Sequence, residues 1–230
     1  MNQNKLISII MPVYNTEKYV REALDSIFSQ TYKNFEVVCI DDGSVDNSVS
    51  ILESFGNKIK LLKNESNLGT SVSRNKGIQI AQGEFLAFLD ADDIWEINKL
   101  EIQMMEFNNN PDLEVSFTYM KCFISSELSE DVKRKRYCPP NSAPCHIPSS
   151  AVIKRTSFEK VGYFDTRFKN IEFVDWINKA KEIGLKIETL NDILVFRRIH
   201  ETNVGVMDRD NSRSDYFKII KESLNKKKNK

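Results

Sequence analysis

The sequence lacks a long apolar run. No stretch approaches the roughly 18 consecutive apolar residues that a membrane-spanning helix needs, so no transmembrane segment is expected. It also lacks an excess of either charge: 33 Lys plus Arg balance 33 Asp plus Glu. No global field therefore exists to hold nucleic acid or acidic lipid nonspecifically, and no nucleic-acid partner is expected. Cysteine is sparse. Cys39, Cys122, Cys138 and Cys145 are too few and too unevenly spaced for a disulfide scaffold, and no CxxC pair suggests a zinc knuckle. Cys138 and Cys145, with His146 beside them, read as a loop thiol pair, because a structural zinc needs four ligands at workable spacing. No internal repeat is present, and Met1 to Lys5 is polar rather than a lead into an apolar segment. A cytoplasmic chain is the expectation.

What is there suits an α/β fold. The 230 residues, 40% hydrophobic, suffice for a sizeable core. Over the first 120 residues short apolar runs alternate with amphipathic stretches, the pattern of a Rossmann-like, mostly parallel sheet flanked by helices. Strands are predicted at Leu6 to Met11, Phe35 to Ile40, Ile59 to Leu62, Phe85 to Leu89 and Val115 to Met120. Val20, Ala23, Leu24, Ile27 and Phe28 recur at helical spacing, Asp46 reads as the cap of the next helix, and further helices are predicted near Val72 to Ala81, from near Trp95, and through Leu100, Met104 and Phe107. From Cys122 to Pro148 the prolines and the basic run Lys133 to Arg136 predict an irregular connection with a solvated face. Order resumes with a strand at Ala151 to Ile153, helices near Ser157 to Val161 and Phe173 to Ile183, and a strand near Ile193 to Phe196. Asn225 to Lys230 reads as a disordered Lys-rich tail.

Polar motifs follow directly on apolar strands one, two and four. Parallel strands point the same way, so Pro12-Val13-Tyr14-Asn15, Asp41-Asp42-Gly43-Ser44 and Asp90-Ala91-Asp92-Asp93 share one sheet edge, where ligands of such sheets bind. The loop from Asn67-Leu68-Gly69 to Arg74-Asn75-Lys76-Gly77 can reach the same edge. Asp90, Asp92 and Asp93 crowd three carboxylates into four residues, a set suited to Mg²⁺ or Mn²⁺ bridging to a diphosphate, or to an acidic turn capping a helix. Asp41 and Asp42 suit a turn or acceptance of an N–H from a base or of ribose hydroxyls. Arg74 suits a diphosphate or a solvated helix face, and Tyr14 suits stacking on a base or core packing.

Together these residues resemble family 2 glycosyltransferases. The resemblance runs from Ile7 to about Trp95, through Ile10-Met11-Pro12-Val13-Tyr14-Asn15, Asp41-Asp42-Gly43-Ser44, Ser73-Arg74-Asn75-Lys76-Gly77 and a DXD motif at Asp90-Ala91-Asp92-Asp93, and resumes more loosely from Ala151 to Asn203. It implies a GT-A fold with a nucleotide-sugar-binding half at 1–121, an irregular connection at 122–150, a smaller acceptor-side region at 151–224 and the tail at 225–230. It also implies an inverting, hexosyltransferase-like enzyme of polysaccharide or glycoconjugate biosynthesis, dependent on Mn²⁺ or Mg²⁺. The donor would be a nucleotide sugar, most simply a UDP-sugar, and the acceptor a hydroxyl of a glycan, lipid-linked sugar or peptide. Pro12, Tyr14, Asp41 and Asp42 would frame the nucleobase, Arg74 the base or diphosphate, Asp90 the ribose, and Asp92 the metal, with His200 of Arg198-Ile199-His200 contacting metal or diphosphate. Peripheral contact at the inner membrane face is left open.

The departure lies at the base. Counting back from Lys179 puts Phe173 where the family's catalytic Asp stands, so the role falls to Glu172 or Asp175, with Glu172 preferred as the adjacent residue. The alternative is a catalytically impaired sugar-nucleotide-binding or regulatory relative.

Overall fold

The computed structural model describes residues 5–139, 141–168, 171–201 and 203. Its elements in chain order are β1 (Ile7–Val13), α1 (Val20–Phe28), β2 (Phe35–Asp41), α2 (Ser48–Glu53), β3 (Lys60–Lys63), α3 (Thr70–Ile80), β4 (Phe85–Phe88) and β5 (Ile94–Trp95). There follow α4 (Lys99–Asn109), β6 (Val115–Ile124), α5 (Glu130–Lys135), β7 (Ala143–Cys145), β8 (Val152–Lys154), α6 (Arg155–Val161), α7 (Glu172–Glu182) and β9 (Ile187–Ile199).

The strands join in the order β3-β2-β1-β4-β8-β6-β9-β5, with β7 paired to β6. β1 to β4 are parallel, whereas β8 runs antiparallel to both β4 and β6. The expected parallel sheet thus holds for the first half and becomes mixed in the second.

Alternation along β1 divides the core. Ile7, Ile9, Met11 and Val13 join Leu24, Ile27, Leu100, Met104 and Phe107 on one face. Ile10, with Val38 and Ile40, faces Ile78, Phe117, Phe158, Phe164, Phe173 and Trp176 on the other. Strands buried on both faces read as continuous apolar runs, which is why they were legible.

β1 continues past Met11 through a proline. Leu89 N–H donates to Ile10 O and Asp42 N–H to Val13 O, so even-numbered residues of β1 turn toward β4 and odd ones toward β2. Pro12 therefore presents its missing donor to the side where β4 has already ended at Phe88, and loses no ladder bond.

Three expectations need correction. Cys122 to Pro148 is not irregular throughout: β6 runs on to Ile124, α5 is capped by Ser129 Oγ accepting from Val132 N–H, and β7 pairs with β6 despite Pro144. An edge strand tolerates proline, which composition alone does not reveal. The helix expected near Trp95 begins instead at Lys99, because Ile94 and Trp95 pair with Phe196 and Val195 of β9. Asp46, expected to cap the next helix, stands one residue too early: the cap of α2 is Asn47, with no side-chain capping bond, and Asp46 accepts from Ser48 N–H at 2.9 Å. Asn225 to Lys230 lies outside the described residues.

The turn after β2 requires glycine. Gly43 has φ +77°, and a Cβ there would stand 2.7 Å from Ser66 C and 2.8 Å from its Cα, backbone atoms that cannot swing aside. Gly43→Ala is expected to lower stability by about 1–3 kcal/mol, read as a fall in Tm. An unchanged Tm would mean that the loop after β3 does not rest on this turn.

Candidate active site

The loops at the carboxyl ends of β1, β2 and β4 and the end of β9 meet on one edge. At the first, Tyr14 is half-exposed rather than in the core, and Asn15 adopts φ +50°. Its side chain accepts from Val45 N–H at 2.9 Å while its own N–H donates to Ser44 Oγ at 3.0 Å. Glu17 N–H donates to Asp46 Oδ2 at 3.0 Å and Glu17 Oε2 accepts from Asn47 N–H at 2.9 Å, two further bonds between the same loops. The β1 and β2 exits are thus clasped together before any ligand arrives.

Asp41 and Asp42 are both buried but differ in use. Asp42 accepts from Asn64 Nδ2 at 2.7 Å, Leu68 N–H at 3.0 Å and Gly69 N–H at 2.8 Å, so it ties down the loop that leads into α3. Asp41 Oδ2 accepts from the Gly43 and Ser44 N–H groups at 3.2 Å each, while its Oδ1 is buried without a hydrogen-bond partner. Asn64 was not anticipated. Lys76 Nζ donates to Asn64 Oδ1 at 2.6 Å, which obliges the Asn64 amide nitrogen to face Asp42.

Arg74 lies one turn into α3 and is buried. The start of α3 is held against the segment before α7, where Ser71 Oγ donates to Phe168 O at 3.1 Å and Thr70 Oγ1 stands 3.5 Å from Glu172 Oε1. This docking brings the Arg74 guanidinium between two carboxylates: it pairs with Asp90 Oδ1 at 2.5 Å and with Glu172 Oε1. Burial pushes the Glu172 carboxyl up from its ordinary value, with Arg74 opposing. Glu172 Oε2 is buried without a partner.

The second candidate carboxylate on α7 looks elsewhere. Asp175 is buried and pairs with Lys179 one turn on, at 2.5 Å. Phe173 packs edge-on against Phe88 and Phe117 and stacks near Trp176, with ring centroids 6.1–6.2 Å apart. An apolar side chain at this position anchors α7 to the sheet, so the first turn of the helix presents Glu172 to Arg74.

At the exit of β4, Asp92 Oδ2 stands 2.8 Å from His200 Nε2 and 3.3 Å from Asn203 Nδ2. Asp93, next in the chain, points into the protein. It accepts from Ser149 Oγ at 2.8 Å and Arg198 N–H at 3.2 Å, and burial, with the charges of Asp92 and Asp90, pushes its carboxyl well up. Ser149 in turn accepts from Asp90 N–H at 3.2 Å. Spacing in the Asp cluster did not distinguish Asp93 from its neighbours, and nothing in the sequence marked Ser149.

These donors fit a divalent cation that completes its shell with water and diphosphate oxygens. Asp92 supplies a hard oxygen, partly open to the cleft, and His200 an imidazole. Among the described residues no group of three or more His, Cys, Asp or Glu side chains is placed to hold an ion.

A mostly parallel sheet covered by helices on both faces, with acidic strand-end loops gathered on one edge, is the GT-A fold of glycosyltransferases. The chain belongs to glycosyl transferase family 2, whose sequence model matches residues 8–162. It is similar to the UDP-Glc:alpha-D-GlcNAc-diphosphoundecaprenol beta-1,3-glucosyltransferase WfgD of Escherichia coli, 46% identical over 116 residues, covering 50% of this chain and 44% of that one. The glycosyltransferase GlyG of Streptococcus pneumoniae is 41% identical over 216 residues, covering 85% and 71%. Among solved structures, S. aureus TarS 1–349 in complex with UDP-GlcNAc superposes with a TM-score of 0.72 at 26% identity, covering 86% of this chain and 59% of that one. The mannosyltransferase PcManGT from Pyrobaculum calidifontis, in complex with GDP-Man and Mn²⁺, shares the fold, with a TM-score of 0.68 at 20% identity and coverage of 87% and 59%. The chain thus spans about three-fifths of these solved chains. No helix among the described residues is long and apolar enough to cross a membrane.

Proposed function

We propose that the chain transfers a sugar from a nucleotide-diphosphate donor, most simply a UDP-sugar, to an acceptor hydroxyl with inversion. The observation that carries this reading is the convergence, within one family 2 site, of the Asp90–Arg74–Glu172 chain and the Asp92–His200 pair. Asp41 Oδ1, buried and unpartnered, supports acceptance of a base N–H, with Pro12 and Tyr14 lining the same strand end and Asp42 holding the adjacent loop. Asp90, paired with Arg74, would take the ribose. Arg74 supplies positive charge for the diphosphate. Glu172 is the base: burial pushes its carboxyl up, which makes it a stronger proton acceptor, and it deprotonates the acceptor hydroxyl as that oxygen attacks opposite the leaving diphosphate. Asp175 is the second candidate on the same helix. Asp92 and His200 would hold Mn²⁺ or Mg²⁺, which when bound neutralises charge on the departing diphosphate. The names of WfgD and TarS's ligand support a UDP-sugar donor, and that of WfgD supports a lipid-linked sugar as acceptor, reached by peripheral contact with a membrane.

Calorimetric titration of UDP and GDP with and without Mn²⁺, on the wild type and on Asp92→Ala, tests the donor half without an acceptor. UDP binding strengthened by Mn²⁺ in the wild type and not in Asp92→Ala is expected, together with loss of metal-dependent turnover. Equal binding in both proteins would remove Asp92 from the site. Nucleotide binding with no transfer to any acceptor would favour an impaired relative, the reading that Phe173 at the expected base position motivates.

A further inference from the structure

We infer that Tyr19 is a positioning residue that seats His200 against Asp92, an inference that rests on the proposed role of this pair. Tyr19 is buried at the start of α1, with its ring centroid 4.6 Å from that of His200. Arg198 lies two residues before His200, so both side chains leave the same face at the end of β9. The Arg198 guanidinium sits 5.0 Å over the same Tyr19 ring, and 4.6 Å over Phe123. One ring therefore touches two residues that hold Asp92 by different atoms: His200 Nε2 at the carboxylate and Arg198 Nε, which donates to the Asp92 carbonyl at 3.1 Å.

The ring is itself anchored. Tyr19 OH donates to Glu127 Oε1 at 2.5 Å, and Ser125 Oγ donates to the other oxygen of the same carboxylate. Ser125 Oγ also accepts from Arg198 Nη1 at 3.3 Å, and Arg198 Nη2 pairs with Glu22 on α1 at 2.5 Å. Helix α1, the turn after β6 and the end of β9 thus close around Tyr19. Such outer contacts fix the orientation of a ligating imidazole, and their loss typically weakens metal affinity about 10–100-fold.

The test compares Tyr19→Leu, Tyr19→Phe and Glu127→Ala in the full chain. Tyr19→Leu is expected to weaken Mn²⁺ binding to the UDP complex about tenfold and to lower kcat more than the donor KM, with Tyr19→Phe restoring most of both. Tyr19→Phe and Glu127→Ala both remove the Tyr19–Glu127 bond, so that shared part of their effects should not add, although Glu127→Ala also removes the bond from Ser125. Imidazole nitrogen NMR gives a readout free of metal and nucleotide. The chain has two histidines, so His146→Gln assigns the His200 signals. One fixed His200 tautomer in the wild type and an averaged one in folded Tyr19→Leu support the seat. A fixed tautomer and wild-type Mn²⁺ affinity in folded Tyr19→Leu overturn it. Averaging in Tyr19→Leu, in a protein that binds neither UDP nor Mn²⁺, upholds the seat and overturns the donor-site reading.

Discussion

Replacing Glu172 with Gln is expected to lower kcat/KM for sugar transfer about 10²–10⁴-fold while leaving UDP affinity nearly unchanged. The amide keeps the shape and can still accept from Arg74, so the variant removes proton acceptance with little else. Asp175→Asn should cost far less, because Asp175 is engaged with Lys179 a turn away from the Asp90–Arg74 pair. A reversal of this order would hand the base to Asp175. The pH dependence has a definite sign. Burial raises the Glu172 carboxyl, so turnover should climb as pH rises through that raised value. Stability moves the other way: the folded state holds the proton more tightly than the unfolded chain, so stability falls as pH rises from the ordinary carboxyl range through the raised one. Glu172→Gln should flatten both slopes, seen in rate profiles and in thermal melts across pH.

Arg74→Met is expected to cost about 3–5 kcal/mol, the largest single loss of stability foreseen here. Its guanidinium is the partner of two carboxylates, and Glu172 is as deeply buried as Arg74 itself. Removing the cation leaves Glu172 charged in a low-dielectric setting without its counter-ion, and that penalty exceeds the net value of the pair when intact. Removing both partners with Arg74→Met and Glu172→Leu should therefore recover much of the loss, because the uncompensated buried charge is gone. Thermal unfolding of the two single variants and the double variant measures this. A double variant as unstable as Arg74→Met would show that the ion pair is not the source of the penalty. If Arg74 serves the diphosphate as proposed, nucleotide affinity should stay low in both, since the guanidinium is absent in each.

How much of this was legible in the sequence follows from which contacts are local. β1, β2 and β4 are buried on both faces, so their apolar runs stood out, and the polar residues that end them could be placed on one edge by the rule for parallel strands. β7 was hidden because Pro144 in a short edge strand looks like a loop. Asp93 could not be told from Asp90 and Asp92, since a turn sends successive side chains in directions that only the surrounding packing selects. Tyr19 was not singled out in the sequence at all, because its facing of His200 depends on β9 returning beside α1.

The chain's own order thus determined the α/β class, the edge on which the polar strand-end motifs gather and the residue types available there, because periodicity and strand direction are properties of neighbouring residues. The tertiary structure alone decided which groups meet. Arg74 and Glu172 are 98 positions apart, and Asp92 and His200 are 108. Their pairing depends on how α3 docks on the start of α7 and how β9 closes on the β4 exit. Phe173 illustrates the physical reason: by packing among Phe88, Phe117 and Trp176 it sets the rotation of α7, and that rotation turns Glu172, rather than Asp175, toward the buried arginine.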